Sequence, residues 1–90
     1  MRWGRRGGLD IFGSILACLA EDGPLKKTHV AYRARLDLRE TNKYLDSLLK
    51  MGLIKKLDED PSYYVIDEMG MEFLKLYNGI LEISKRRGTS

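Results

Sequence analysis

Leu9, Phe12, Ile15, Leu16 and Leu19 recur at steps of three and four residues, the stripe of an amphipathic helix that Gly23-Pro24 ends. Leu25 to Lys27 is a short link able to pair as a small strand. A second helix runs from Thr28, a residue type that caps helices, to about Arg35, with Val30, Ala31 and Ala34 on its inner face. Leu36 closes a tight turn. Asp37-Leu38-Arg39-Glu40 has the form of a capping box, in which Asp37 accepts from first-turn amides and Glu40 reaches back. In the third helix Leu38, Thr41, Leu45, Leu48 and Leu49 face inward, and Arg39, Asn42, Lys43, Asp46 and Lys50 face outward. Gly52 stops it.

Two short β-prone runs follow, Leu53 to Leu57 and Tyr63 to Ile66, separated by the turn-rich acidic segment Asp58-Glu59-Asp60-Pro61-Ser62. Two strands alone are unstable, so this hairpin must lean on the helices. Asp67 can cap a last helix of about eighteen residues, whose apolar positions are Phe73, Leu76, Tyr77, Ile80, Leu81 and Ile83. That is more apolar surface than a small three-helix core covers. If the helix packs wholly on its own domain, Phe73 and Tyr77 are core. If its apolar positions outrun the core, a twin helix buries them, and Phe73, Tyr77, Ile80, Leu81 and Ile83 form a dimer interface. The pattern divides the chain into a basic arm over 1–8, a compact domain over 9–66 and a dimerisation helix over 67–87.

Charge adds the functional signal. Residues 1–8 carry Arg2, Arg5 and Arg6 without an acid, and 9–24 carry only Asp10, Glu21 and Asp22. Residues 25–57 hold nine bases against three acids, 58–84 hold seven acids against Lys75, and Lys85, Arg86 and Arg87 close the chain. The formal charge of +3 conceals this sorting. A strongly basic centre that also forms two short helices joined by a tight turn has the charge and shape of a phosphate-facing helix-turn-helix.

Ninety residues make one small domain, with little room for a separate catalytic cavity. No run of eighteen apolar residues exists to span a bilayer. The N-terminus superficially resembles a signal peptide, but Asp10 interrupts its apolar stretch, so the expectation is a cytoplasmic protein without a membrane partner. Cys18, the single cysteine, falls in the apolar first helix and is expected to be a small buried hydrophobe. His29 is the single histidine, and neither a glycine-rich phosphate loop nor a metal-ligand motif occurs, so the expectation is a non-enzymatic protein with no cofactor and no metal. The adjacent carboxylates Asp58, Glu59 and Asp60 lack the alternating spacing of a calcium loop and are expected to form a solvated turn.

The order helix, helix, turn, helix, hairpin, helix resembles a winged helix-turn-helix, and the residues are similar to those of the small winged-helix regulators of archaea. The resemblance rests on Ile15-Leu16 in helix 1, Leu36 eight residues before Tyr44-Leu45, Leu48-Leu49, and Gly52-Leu53-Ile54 at the start of the hairpin. Tyr64, Ile66, Gly70 and Phe73-Leu74 continue it. It covers residues 9–84 and implies a mainly α fold with a small β-hairpin, a winged helix-turn-helix with an additional C-terminal helix. It further implies double-stranded DNA as partner, helix 3 in the major groove, and a homodimer held by the last helix, in a transcriptional regulator or a nucleoid-associated chromatin protein. Two departures stand out. The Asp58-Glu59-Asp60 tip repels phosphates where a phosphate-contacting wing would carry Lys or Arg. Asp67 occupies the cap position that often holds Thr, an equivalent choice.

On this reading Arg39, Asn42 and Lys43 are residue types that bind guanine, adenine and guanine or phosphate respectively. Lys26, Lys27, Arg33, Arg35, Lys50, Lys55 and Lys56 supply sequence-independent phosphate contacts. Thr28 is either a cap or a hydroxyl or amide donor to a phosphate, and Trp3 on the arm is available to insert into a minor groove. The alternative reading is a protein-interaction module that docks through its acidic wing and last helix.

Overall fold

Three side chains on the first helix, Ile15, Leu16 and Leu19, are at most 1% exposed and form the centre of the core. In the computed structural model, which describes residues 7–88, their helix is α1 (Gly8–Asp22). Its buried face is wider than the three-and-four pattern indicates, since Ile11 and Cys18 are also enclosed, and Leu9 lies on the surface instead of in the stripe. Phe12 is half-buried with its ring edge-on to Tyr44, centroids 5.4 Å apart. The Cys18 thiol donates to the Ile15 carbonyl at 3.2 Å, and burial pushes its pKa above the ordinary 9.0. It is the small hydrophobe expected. The expected basic arm, including Trp3, lies outside the described residues apart from Gly7 and Gly8, and Gly8 already belongs to α1.

After the two-residue strand β1 (Leu25–Lys26), helices α2 (Lys27–Ala34) and α3 (Leu38–Lys50) form the helix-turn-helix. Both end in the same hydrogen-bonded closure. In α2 the Leu36 N–H donates to the Ala31 carbonyl at 2.9 Å and the Arg35 N–H to the Tyr32 carbonyl at 3.3 Å. In α3 the Leu53 N–H donates to Leu48 at 3.0 Å and the Gly52 N–H to Leu49 at 3.1 Å. Each closure places one residue in the left-handed region, Gly52 at φ 76° and Arg35 at φ 60°. Glycine adopts that conformation freely, whereas a residue with a Cβ is strained in it. Arg35 is held there because Leu36 must turn inward to partly bury itself against the core while α3 starts in a new direction.

Asp37 caps α3 by accepting from the Glu40 N–H at 2.7 Å, and the fully buried Thr41 hydroxyl donates to the Asp37 carbonyl at 2.8 Å. Thr41, Leu45 and Leu48 then face the core. Leu38 does not, and its expected inward position is corrected: it is 49% exposed, because α3 meets the core only from Thr41 onward. Thr28 is likewise not a cap. Helix α2 begins one residue earlier, Lys26 takes the N-cap position, and no side chain caps it.

Strands β2 (Ile54–Lys56) and β3 (Tyr63–Ile66) form the expected hairpin, and β1 joins it to give an antiparallel sheet of order β1-β3-β2. Leu25 faces Tyr64, and Ile54 faces Ile66, which puts these four on the core side of the sheet. Helix α4 (Glu68–Gly88) starts where Asp67 accepts from the Glu68 N–H at 2.8 Å and donates its own N–H to the Leu53 carbonyl at 3.0 Å. Gly70 passes so close to that carbonyl that no Cβ would fit. From there α4 crosses α1 and runs on past the core, so the molecule is 49 Å long and only 26 by 21 Å across.

The strained closure of α2 has a measurable consequence. Arg35→Gly is expected to raise the unfolding free energy by about 0.5 kcal/mol, because relief of left-handed strain slightly exceeds the added chain entropy. Gly52→Ala is expected to lower it by about 1–2 kcal/mol. Urea denaturation followed by circular dichroism measures both.

Candidate nucleic-acid interface

The amphipathic division of α3 that buries Thr41, Leu45 and Leu48 turns Arg39, Asn42, Lys43, Asp46 and Lys50 to solvent, all of them exposed. Arg39 and Asn42 lie in the first two turns. Asp37 and Glu40 flank them at the helix start, where negative charge suits the helix dipole. The outer surface of α3 is thus a mixed but predominantly basic face with two hydrogen-bonding side chains near its N-terminal end.

A second basic group gathers around the sheet. The register puts Lys26 opposite Tyr63 and Lys55 opposite Val65, and both lysines share the face turned away from the core. The Lys26 ammonium lies 5.5 Å from the centre of the Tyr63 ring. On the other face Lys56 lies opposite Tyr64, its ammonium 5.9 Å from that ring. These cation-ring contacts favour positions of the two ammonium groups beside the sheet, against the rotamer freedom that an ordered lysine gives up. Lys26, Lys27, Thr28 and Lys56 line one open depression of about 360 Å³, completed by Pro61, Ser62 and Tyr64. Thr28 is the second residue of a helix whose first-turn amides have no side-chain cap, so its role as a cap is excluded.

At the hairpin tip Asp60 is turned back on its own loop, accepting from the Ser62 hydroxyl at 2.7 Å and the Ser62 N–H at 3.1 Å. These hydrogen bonds, with a smaller contribution from the Lys26 charge, hold its carboxyl below the usual range. Among the described residues no group of three or more histidine, cysteine or acidic side chains is arranged to hold a metal ion.

Arg33 is the expected phosphate contact that the tertiary structure diverts. Its guanidinium forks between Asp22 and Glu21 at the end of α1, with a 3.2 Å contact to Glu21. Two carboxylates satisfy it, and it ties α2 to α1 instead of standing free. Arg35 is exposed at the turn and, with Tyr32 and Leu36, borders a separate shallow depression.

A family model described as winged helix-turn-helix matches residues 5–85. The chain belongs to the winged helix-turn-helix family. It is similar to an uncharacterized protein of Methanocaldococcus jannaschii, 34% identical over 79 residues that make up 88% of this chain and 74% of the relative. Among solved structures it is similar to the crystal structure of Sso10a-2, a DNA-binding protein from Sulfolobus solfataricus. That match has a TM-score of 0.76 and 28% identity, and covers 93% of this chain and 87% of the other. The winged-helix fold expected from the residue pattern, and its likeness to small archaeal proteins of this kind, are thereby established.

Within that family frame β2 and β3 are the arms of the wing, and Asp58, Glu59 and Asp60 make its tip acidic. The residues expected at a dimer interface divide in two. Phe73 is half-buried against the core, and the half-buried Tyr77 donates its hydroxyl to Asp10 at 2.5 Å while its ring lies against Gly13. Both therefore belong partly to their own domain. Ile80, Leu81 and Ile83 are 55%, 42% and 56% exposed. With Leu9 and Leu76, the residues Phe73, Tyr77 and Ile80 line an apolar groove of about 210 Å³ along α4. No helix among the described residues is long and apolar enough to cross a membrane.

Sequence reasoning missed Tyr63 and Tyr64 as supports for lysines, and Ser62 as the anchor of Asp60. The signal for the tyrosines was accessible only once the register of β1 on β3 was known. It also missed the capture of Arg33, since Glu21 and Asp22 are twelve and eleven residues away on a different helix.

Because the Arg33 pairs are more than one-third exposed, they are worth little in water. Arg33→Met is expected to lower the unfolding free energy by about 0.5–1 kcal/mol at low ionic strength, and the deficit should shrink markedly in 1 M salt. Thermal melts of the two proteins at both salt concentrations check this.

Proposed function

We propose that this protein binds double-stranded DNA as a homodimer, with α3 in the major groove, and acts as a transcriptional regulator or a chromatin-associated protein of the nucleoid. The observation that carries the reading is the exposed face of α3, which presents Arg39, Asn42, Lys43 and Lys50 on a winged helix-turn-helix. A helix of this width fits the major groove, Arg and Asn there bond the edges of guanine and adenine, and Lys answers phosphate or guanine. Lys26, Lys27, Thr28, Arg35, Lys55 and Lys56 supply phosphate contacts that set affinity and register without reading sequence. The similarity to a protein whose crystal structure is described as DNA-binding supports the same reading. Arg33 is left out of the contact set, since two carboxylates already hold it.

The acidic wing takes no part in phosphate binding, because three carboxylates near a phosphate would repel it. Affinity therefore comes from α3, the start of α2 and the sheet lysines. The domain over 9–66 is the DNA-binding unit and residues 67–87 the dimerisation helix. Exposed Leu76, Ile80, Leu81 and Ile83 support that division, since a twin α4 would bury them in the groove that Phe73 and Tyr77 border.

Fluorescence anisotropy of a labelled random-sequence duplex should show binding that falls steeply with salt, with a log-log slope of about −0.9 per phosphate neutralised. The Arg39→Ala/Lys43→Ala double variant should bind at least tenfold more weakly, and Arg33→Ala should stay within about twofold of the parent, on the scale of one lost charge-assisted contact against none. Absence of binding at low salt, or a double variant indistinguishable from the parent, overturns the reading in favour of a protein-docking module.

The dimer is tested independently. Sedimentation velocity at micromolar concentration should give a dimer for the parent chain and a folded monomer for Ile80→Glu/Ile83→Glu, since buried charge on an apolar helix face costs several kcal/mol.

A further inference from the structure

Leu38 is the one leucine of α3 that the core does not take in. Leu45 and Leu48 are at most 1% exposed and Leu49 packs against the core, whereas Leu38 stands 49% exposed at the first position of the helix. An isolated exposed leucine on a protein surface is ordinary. What distinguishes this one is its place. It lies one turn before Asn42, at the i, i+4 spacing that makes two helical side chains neighbours, and directly precedes Arg39. It therefore stands at the end of α3 from which a recognition helix approaches base edges, on the border between the inward Thr41 and Leu45 and the outward Asn42.

The two neighbouring side chains are chemically complementary to one base pair. In the major groove an A·T pair presents the adenine N6 and N7, which an asparagine amide satisfies with two hydrogen bonds, and on its other half the thymine O4 and C5 methyl. It is the only methyl group that the four bases present in the major groove, and an apolar side chain is what recognises it. We propose that Leu38 is a specificity-determining residue that packs on the C5 methyl of thymine, while Asn42 takes the adenine of the same or the adjacent pair. The proposal rests on the reading of α3 as the DNA-contacting helix. It accounts for an apolar side chain at a position that is half exposed and outside the core cluster, where alanine would serve the helix start at least as well.

The test uses the full chain. Duplexes enriched by the parent protein from a randomised pool are resynthesised with uracil in place of thymine, which removes the methyl and leaves every Watson–Crick hydrogen bond. Parent protein should bind the uracil duplex about fourfold more weakly per contacted methyl, the value of one apolar carbon withdrawn from water. Leu38→Ala should bind the thymine duplex more weakly and show no thymine-to-uracil difference, and Leu38→Met, which keeps the apolar reach, should restore most of it. Parent protein indifferent to uracil, a Leu38→Ala variant as uracil-sensitive as the parent, or enrichment of no thymine-containing sequence each overturns the role of Leu38 while leaving DNA binding intact. Failure of the parent to bind any duplex overturns the DNA reading and this inference together.

Discussion

The burial of α1 is the constraint on which the rest of the molecule depends. Ile15, Leu16 and Leu19 are all but sealed from solvent because α2 and α3, the sheet and α4 close on them from different sides. Each such side chain is worth about 1.5–3 kcal/mol of transfer free energy, so in a domain of this size no element can be withdrawn without opening the centre. The wing illustrates the dependence. Three short strands would not hold together in water. They persist because Leu25, Ile54, Tyr64 and Ile66 turn one face of the sheet onto the same helix.

The angle between α2 and α3 comes from a local device serving that core. Leu36 has to turn inward at the point where the chain changes direction, and the backbone achieves this by placing Arg35 in a left-handed conformation that glycine would occupy with less strain. An arginine at that corner retains an exposed positive charge beside the helix-turn-helix. The price in backbone strain is small, and Gly52, in the equivalent place after α3, shows the relaxed version of the same closure.

Electrostatics follow the same economy. Positive charge collects on the outer face of α3, around the start of α2 and on the sheet, and tyrosine rings steady two of the lysines. Negative charge collects where it does local work: Asp37 caps α3, Asp60 ties the hairpin turn to Ser62, and Glu21 and Asp22 hold Arg33. Several carboxylates of this protein are therefore already committed to its own backbone or side chains, and Glu40 at the head of α3 lies where the helix dipole favours it. A basic helix face on a winged scaffold is left as the surface with the least internal purpose.

Periodicity by itself determined the four helices, the hairpin and the short pairing segment at Leu25, because helical and extended backbones impose different spacings on apolar residues and those spacings are written locally. The cap at Asp37 and the stop at Gly52 were legible for the same reason: each is an interaction among residues within one or two turns. The basic sorting of the centre and the outward set Arg39, Asn42, Lys43 and Lys50 could also be read along the chain. Three-dimensional packing alone decided the rest. Leu38 fits the inward period of α3 yet emerges on the surface, since periodicity fixes a direction around a helix axis but not whether anything lies there to meet it. Arg33 looked like a free cation until α1 supplied two carboxylates, and Lys26 and Lys56 acquired their tyrosines only through strand register. Phe73 and Tyr77 were divided from Ile80, Leu81 and Ile83 by where α4 leaves α1, a boundary set by the length of the helix beneath it.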